Sequence, residues 1–103
     1  MERLIDILPQ IADELKTMLF DMGEYKLARS VADLPVVDRC RCGDSECATF
    51  YTMEREKWQG KPLKHVVPGG DDILELDVYD DIIVCIEILD REDVSERLRA
   101  LLP

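Results

Sequence analysis

Three of the four cysteines of this chain lie within eight residues, in the spacing C-x-C-x4-C formed by Cys40, Cys42 and Cys47. Thiols at this density can bind a metal, form a disulfide or act as nucleophiles. A zinc site needs sulfur ligands about 2.3 Å from the metal, so the three thiols must converge and a fourth ligand must join them. His65 and Cys85 are the candidates for that fourth ligand. A structural zinc site is therefore one hypothesis.

The same thiols allow three other interpretations. On a regular strand Cys40 and Cys42 share a face but lie about 6.6 Å apart, too far for one metal unless a bulge bends the chain. Cys42 and Cys47 could instead form a cross-strand disulfide, and one thiol could pair with His65 in a Cys–His hydrolase. The simplest interpretation makes the cysteines small buried apolar residues, with no cofactor.

Carboxylates form the second group of candidate residues. Glu75, Asp77 and Glu87 alternate along two predicted strands, so they share one face of a sheet. Paired carboxylates can serve acid–base catalysis or bind a divalent cation. A solvated sheet face explains them more simply, because neither an EF-hand spacing nor a partner histidine accompanies them in the sequence.

Composition limits the classes of function. The 103 residues include 23 acidic and 13 basic side chains, for a formal charge of −10, which disfavours binding to nucleic acid. With 47% hydrophobic residues the chain can build the core of one domain, residues 1–103. No signal peptide or membrane span is evident, so we expect a cytoplasmic protein with no membrane partner and reduced thiols.

Helical periodicity dominates the N-terminal third. Apolar residues recur every three or four positions from Leu4 to Met22, which predicts a helix of about 15 to 20 residues ending at Gly23. Pro9 either kinks this helix or follows a short turn and begins the main helix. A short second helix is expected over residues 24–32. The apolar stripe most simply packs on a sheet, although it also allows a homodimer.

Alternation with a period of two begins at Val36 and predicts four strands. Segments 36–42 and 47–53 form one hairpin with a loop over 43–46, which places Cys42 opposite Cys47. Residues 55–70 contain five glycines and prolines and are expected to be a long loop. A second hairpin joins 73–78 to 82–89. A three-residue turn over 79–81 puts most aliphatic residues of this hairpin on one face of the sheet. The carboxylates then share the other face with Ile73, Ile83 and Cys85.

The C-terminal segment predicts a final helix. Asp90 is the expected N-cap, Asp93 completes a capping box, and Val94, Leu98 and Leu101 face inward. The predicted fold is therefore α+β: one or two N-terminal helices, a four-stranded antiparallel sheet of two hairpins, and a C-terminal helix on one sheet face.

Two resemblances accompany these patterns. The segments Arg39 to Gly43, Cys47 to Phe50 and Ile86 to Arg91 resemble small bacterial proteins of unknown function that carry a CxCG hairpin and a similar helix-capped ending. In size, acidity and lack of a catalytic set the chain is also similar to bacterial toxin-immunity proteins. These resemblances imply a bacterial cytosolic domain that is not an enzyme.

The function that we expect first is therefore protein binding. Its most specific version is neutralisation of a basic toxin. An acidic surface favours fast, salt-sensitive association with a basic partner. The residues expected to contact that partner are Glu75, Asp77, Asp80, Asp81, Glu87 and, as an aromatic anchor, Trp58. The alternative is a zinc-stabilised domain built on the cysteine hairpin.

Overall fold

The N-terminal apolar stripe folds as two helices in the computed structural model, which describes residues 2–69 and 72–103. Helix α1 spans Leu4–Ile7 and helix α2 spans Pro9–Asp21. Pro9 occupies the first position of α2, where its missing N–H costs no helical hydrogen bond and its fixed φ suits the helix. Of the two alternatives left open at Pro9, the structure has the one in which a short turn precedes a main helix that begins at Pro9.

Helix α2 ends beside a glycine in the left-handed region. Gly23 has φ of 78°, and the N–H of Glu24 donates to the carbonyl of Leu19 at 2.9 Å, as in glycine-terminated helices. Met22, predicted on the apolar stripe, is 42% exposed because the helix has already ended. The predicted short helix follows as α3, Tyr25–Ser30, and a 3-10 turn ends before Pro35.

The sheet is antiparallel and has five strands, one more than predicted. The additional strand lies within the segment 55–70, which was expected to be a loop and of which residue 70 lies outside the described part of the chain. That segment also contains a 3-10 turn, Arg55–Lys57. The strand order is β1-β2-β5-β4-β3, and the strands are β1 (Asp38–Arg39), β2 (Phe50–Tyr51), β3 (Lys64–Val66), β4 (Ile73–Tyr79) and β5 (Ile82–Ile88).

The turn between β4 and β5 has two residues, so the predicted three-residue turn is wrong. Tyr79 pairs with Ile82, and Asp80 and Asp81 have φ of 52° and 62°. Two successive left-handed residues form the type I′ turn, whose twist matches that of an antiparallel pair. Aspartate tolerates this conformation better than most residues, which explains the Asp-Asp sequence.

A β-bulge at Val84 corrects the alternation near this turn. Val78 pairs with Ile83, whereas Asp77 pairs with Cys85, so Val84 has no partner opposite it. The extra residue shifts the inward–outward alternation of side chains by one position, so the two parts of β5 on either side of the bulge follow opposite patterns. Ile83 therefore faces the core, against prediction, and Val84 packs on the other side of the sheet.

A second bulge lies at the other end of the hairpin. Ile73 pairs with Ile88 and Glu75 with Glu87, which leaves Leu74 as the extra residue of β4. Ile73 is buried in the core and Leu74 is 40% exposed, the reverse of the prediction. Ile82 is likewise exposed. Alternation alone cannot locate a bulge, because the bulge is the point at which alternation stops.

The C-terminal helix α4, Glu92–Leu101, buries Val94 and Leu98 in the same core, as predicted. Its predicted capping box is absent from this described segment: the N-cap is Arg91, and no side chain caps it. The guanidinium of Arg91 instead contacts carboxylates of Asp72 (2.5 Å), Asp93 (3.1 Å) and Glu14 (3.2 Å). Leu101, expected to face inward, is 36% exposed.

The helices cover one face of the sheet, which we call the inner face. The main core lies between the helices and this face of the sheet. It includes Leu15, Phe50, Leu76, Ile86 and Leu98, all nearly or fully buried. The α+β class is confirmed. Among the described residues, no helix combines the length and apolar character needed to cross a membrane.

Candidate metal centres on the outer sheet face

The opposite face of the sheet, which we call the outer face, is crossed by the segment 52–63. Trp58 from this segment is buried against Val84 and Cys85, and its indole N–H donates to the carbonyl of Met53 at 3.0 Å. Tyr51 packs beside it, with ring centroids 6.0 Å apart. Trp58, expected to anchor a partner, is thus 93% removed from solvent by its own domain and acts there as a packing residue.

The cysteine hairpin keeps the predicted register. Arg39 pairs with Phe50 across β1 and β2, which is the predicted register, but the pairing stops before it reaches Cys42 and Cys47. The strands themselves are much shorter than predicted, because the ladder ends after the N–H of Cys40 donates to the carbonyl of Thr49 at 2.9 Å.

Beyond that hydrogen bond the chain leaves strand geometry, and this departure brings the thiols together. Gly43, with φ of 84°, turns the chain between Cys42 and Cys47. The three sulfur atoms of Cys40, Cys42 and Cys47 lie within 4.8 Å of one another, and all four cysteines of the chain are free thiols. The separation that a regular strand would impose on Cys40 and Cys42 is therefore removed.

Backbone donors make this cluster suitable for thiolates. The N–H of Asp44 donates to the sulfur of Cys42 and lowers the pKa of this exposed thiol. Burial raises the pKa of Cys40, although the N–H of Cys42 donates to its sulfur and acts in the opposite direction. Cys42 is therefore better prepared to ionise than Cys40, and ionised sulfur is the form that binds metals.

Neither predicted fourth ligand joins the three thiols. His65 lies on β3, and β2, β5 and β4 separate it from β1, a distance on the order of 19 Å at about 4.8 Å for each of four strand spacings. Cys85 lies on β5, and burial raises the pKa of its thiol to about 12. Within the described residues the cluster thus offers three protein ligands.

An open depression adjoins the thiols on the outer face. Its volume is about 420 Å³. The three clustered cysteines and Asp44 border one side, and the carboxylates of Asp77 and Glu87 border the other. Tyr51, Trp58 and Cys85 contribute to its lining. A metal held by these three thiols would lie beside a depression large enough for a small ligand.

A second cluster of ligand groups lies on the same face. His65 pairs with Asp77 across β3 and β4, and its Nδ1 is 2.7 Å from Oδ1 of Asp77 and 3.5 Å from Oε1 of Glu75. Contact with Asp77 raises the pKa of His65. Glu87 pairs with Glu75 across β4 and β5, and partial burial together with the Glu75 carboxyl raises the pKa of Glu87.

The predicted acidic residues therefore fall into two places. Glu75, Asp77 and Glu87 are brought together on the outer face, as the alternation predicted. Asp80 and Asp81 lie at the tip of the β4–β5 turn, where Asp81 is 3.4 Å from the ammonium of Lys26. Both turn residues are exposed.

Sequence analysis missed the grouping of His65 with these carboxylates. The alternation of Glu75 and Asp77 predicts that both lie on one face, but the glycines and prolines around His65 predict a loop there. The usable signal was weak: Lys64–Val66 is only three residues long, and a single buried residue, Val66, marks it as a strand. Recognition of β3 as an edge strand would have placed His65 beside Asp77.

The resemblance to small bacterial proteins with a CxCG hairpin, and that to immunity proteins, stay predictions. No family model, curated protein or solved structure matches the chain at a significant level.

Proposed function

We propose that this protein is a zinc-binding domain in which Cys40, Cys42 and Cys47 hold the metal. The observation that carries the proposal is the convergence of the three sulfur atoms to within 4.8 Å. Zinc–sulfur bonds of about 2.3 Å in a tetrahedral site separate neighbouring sulfurs by about 3.8 Å, so only small side-chain rotations are needed. Soft thiolate donors favour Zn²⁺ or Cu(I) over harder cations.

The number of protein ligands specifies the kind of zinc site. Structural zinc has four protein ligands, whereas sites with three keep an open position for water or another ligand. The thiol cluster has three within the described residues, and all three line the outer-face depression. We therefore propose an accessible zinc ion whose fourth ligand is exchangeable.

Native mass spectrometry of untagged, reduced protein with one molar equivalent of Zn²⁺ tests this proposal. We expect the mass of one zinc per wild-type chain, and loss of that mass in Cys42→Ser. Cys85→Ser is the matched control, because Cys85 is outside the cluster, and it should retain the zinc. The bare mass for the wild-type chain would overturn the proposal. If protein purified from cells carries the mass of copper instead, the metal in the site is Cu(I) and not zinc.

Binding of a basic protein partner is a second candidate function, and neutralisation of a basic toxin is its sharpest form. The observation that favours it is the collection of Glu75, Asp77 and Glu87 on one sheet face in a chain of formal charge −10. Such a surface accelerates association with a basic protein and loses that effect as salt rises.

Charge reversal tests this second candidate. A partner captured from lysate by the wild-type chain should be lost from the triple variant Glu75→Lys, Asp77→Lys, Glu87→Lys. A control variant with three reversals on exposed helix positions, Asp13→Lys, Glu92→Lys and Glu96→Lys, has the same net charge and should still capture it. Equal capture by both variants, or capture that is unaffected by salt, would contradict the idea.

A further inference from the structure

The cluster of His65, Glu75, Asp77 and Glu87 on the outer face is distinct from the thiol cluster. It combines one imidazole nitrogen with carboxylate oxygens, and the ligand atoms of His65, Glu75 and Asp77 all lie within 4.8 Å of one another. Two sets of cross-strand pairs hold the groups: His65 with Asp77, and Glu75 with Glu87. All four residues belong to hydrogen-bonded strands, so their backbones are fixed.

The charges in this cluster do not balance. Three carboxylates and one imidazolium leave an excess of two negative charges, and a neutral imidazole leaves three. Like charges directly opposite on paired strands are destabilising, as for Glu75 and Glu87. A metal ion that binds through Nδ1 of His65 displaces the proton of the ring, so one divalent cation would reduce the three negative charges of the cluster to one.

The distances also suit a metal ion. Nitrogen and oxygen ligands about 2.1 Å from a transition metal lie about 3.0 to 3.4 Å from one another in octahedral or tetrahedral sites. The Nδ1 of His65 is 2.7 Å from Asp77 and 3.5 Å from Glu75. Both contacts thus need a change of only a few tenths of an ångström.

We infer that His65, Glu75 and Asp77, with Glu87 opposite Glu75, form a second metal site that binds a divalent transition-metal ion through nitrogen and oxygen. Carboxylate and imidazole ligands suit Mn²⁺, whereas thiolates select softer metals. The two sites on the outer face therefore differ in the metals they prefer. The inference does not depend on the zinc proposal, since the two ligand sets share no residue.

Mn²⁺ alone is the probe, and the imidazole of His65 is the reporter. His65 is the only histidine of the chain. The imidazole resonances in the NMR spectrum of the 103-residue chain can therefore be assigned to His65 directly. Paramagnetic Mn²⁺ bound to the cluster should broaden these resonances when much less than one equivalent has been added. The broadening should level off as the site fills. Absence of broadening up to millimolar Mn²⁺ in the wild-type protein would overturn the inference.

Two variants show whether the carboxylates bind the ion. Asp77→Asn and, separately, Glu75→Gln should each weaken Mn²⁺ binding about tenfold or more, the effect expected when a metal ligand or its immediate support is removed. Asp13→Asn, which neutralises an exposed carboxylate on α2, should leave the binding curve unchanged. Equal Mn²⁺ affinity in all three variants would overturn the site, and Glu75→Gln decides the matter if Asp77→Asn does not fold.

Discussion

Saturation with Zn²⁺ is expected to raise the melting temperature of the reduced protein by roughly 10 to 20 °C. Free zinc at 100 times its dissociation constant stabilises the folded state by about 2.7 kcal/mol if the unfolded chain does not bind it. For a domain of about this size each kcal/mol shifts the melting temperature by about 4–8 °C. Thermal denaturation followed by circular dichroism, with and without zinc, measures the shift.

The cysteine variants identify which thiols produce that stabilisation. Cys42 is exposed, so Cys42→Ser should change the metal-free stability by about 0.5 kcal/mol or less and remove the zinc-dependent shift. Cys85 is 4% exposed, so Cys85→Ser should lower stability yet keep the shift. A melting temperature that does not respond to zinc in the wild-type protein would contradict this prediction.

Several parts of the fold could be predicted because their signals are local. Pro9 marks the start of the main helix, since proline has no N–H and is tolerated in the first turn. The register that pairs Arg39 with Phe50 follows from the polar loop between the two strands. These features depend on a few adjacent residues, and sequence reasoning works at that range.

The missed features depend on contacts between distant segments. The bulge at Val84, for example, places its side chain against Trp58 from the segment that crosses the outer face. The strand β3 exists because it pairs with β4, and its own sequence is too short to predict it. The grouping of the three thiols likewise required the early end of the β1–β2 ladder.

Removal of the Phe50 ring is expected to cost about 3–5 kcal/mol of folding free energy. Phe50 is fully buried on β2, between Arg39 of β1 and Ile86 of β5, and loss of a buried aromatic ring leaves a cavity in the core. Since folded domains are stable by only about 5–15 kcal/mol, Phe50→Ala should remove a large share of that stability. Urea denaturation measures it as a lower midpoint with an unchanged slope.

The matched control for Phe50 is Phe20→Ala, which removes the same ring from a side chain that is 38% exposed. The Phe20 ring lies 6.0 Å from that of Tyr25, so its loss should cost about 1 kcal/mol or less. Phe50 lies three residues from Cys47, and loosening of β2 should also lower zinc affinity in Phe50→Ala but not in Phe20→Ala. Equal losses of stability in the two variants would mean that the core does not hold β2 in place. In that case the loop between Cys42 and Cys47, and not β2, would have to position the three thiols.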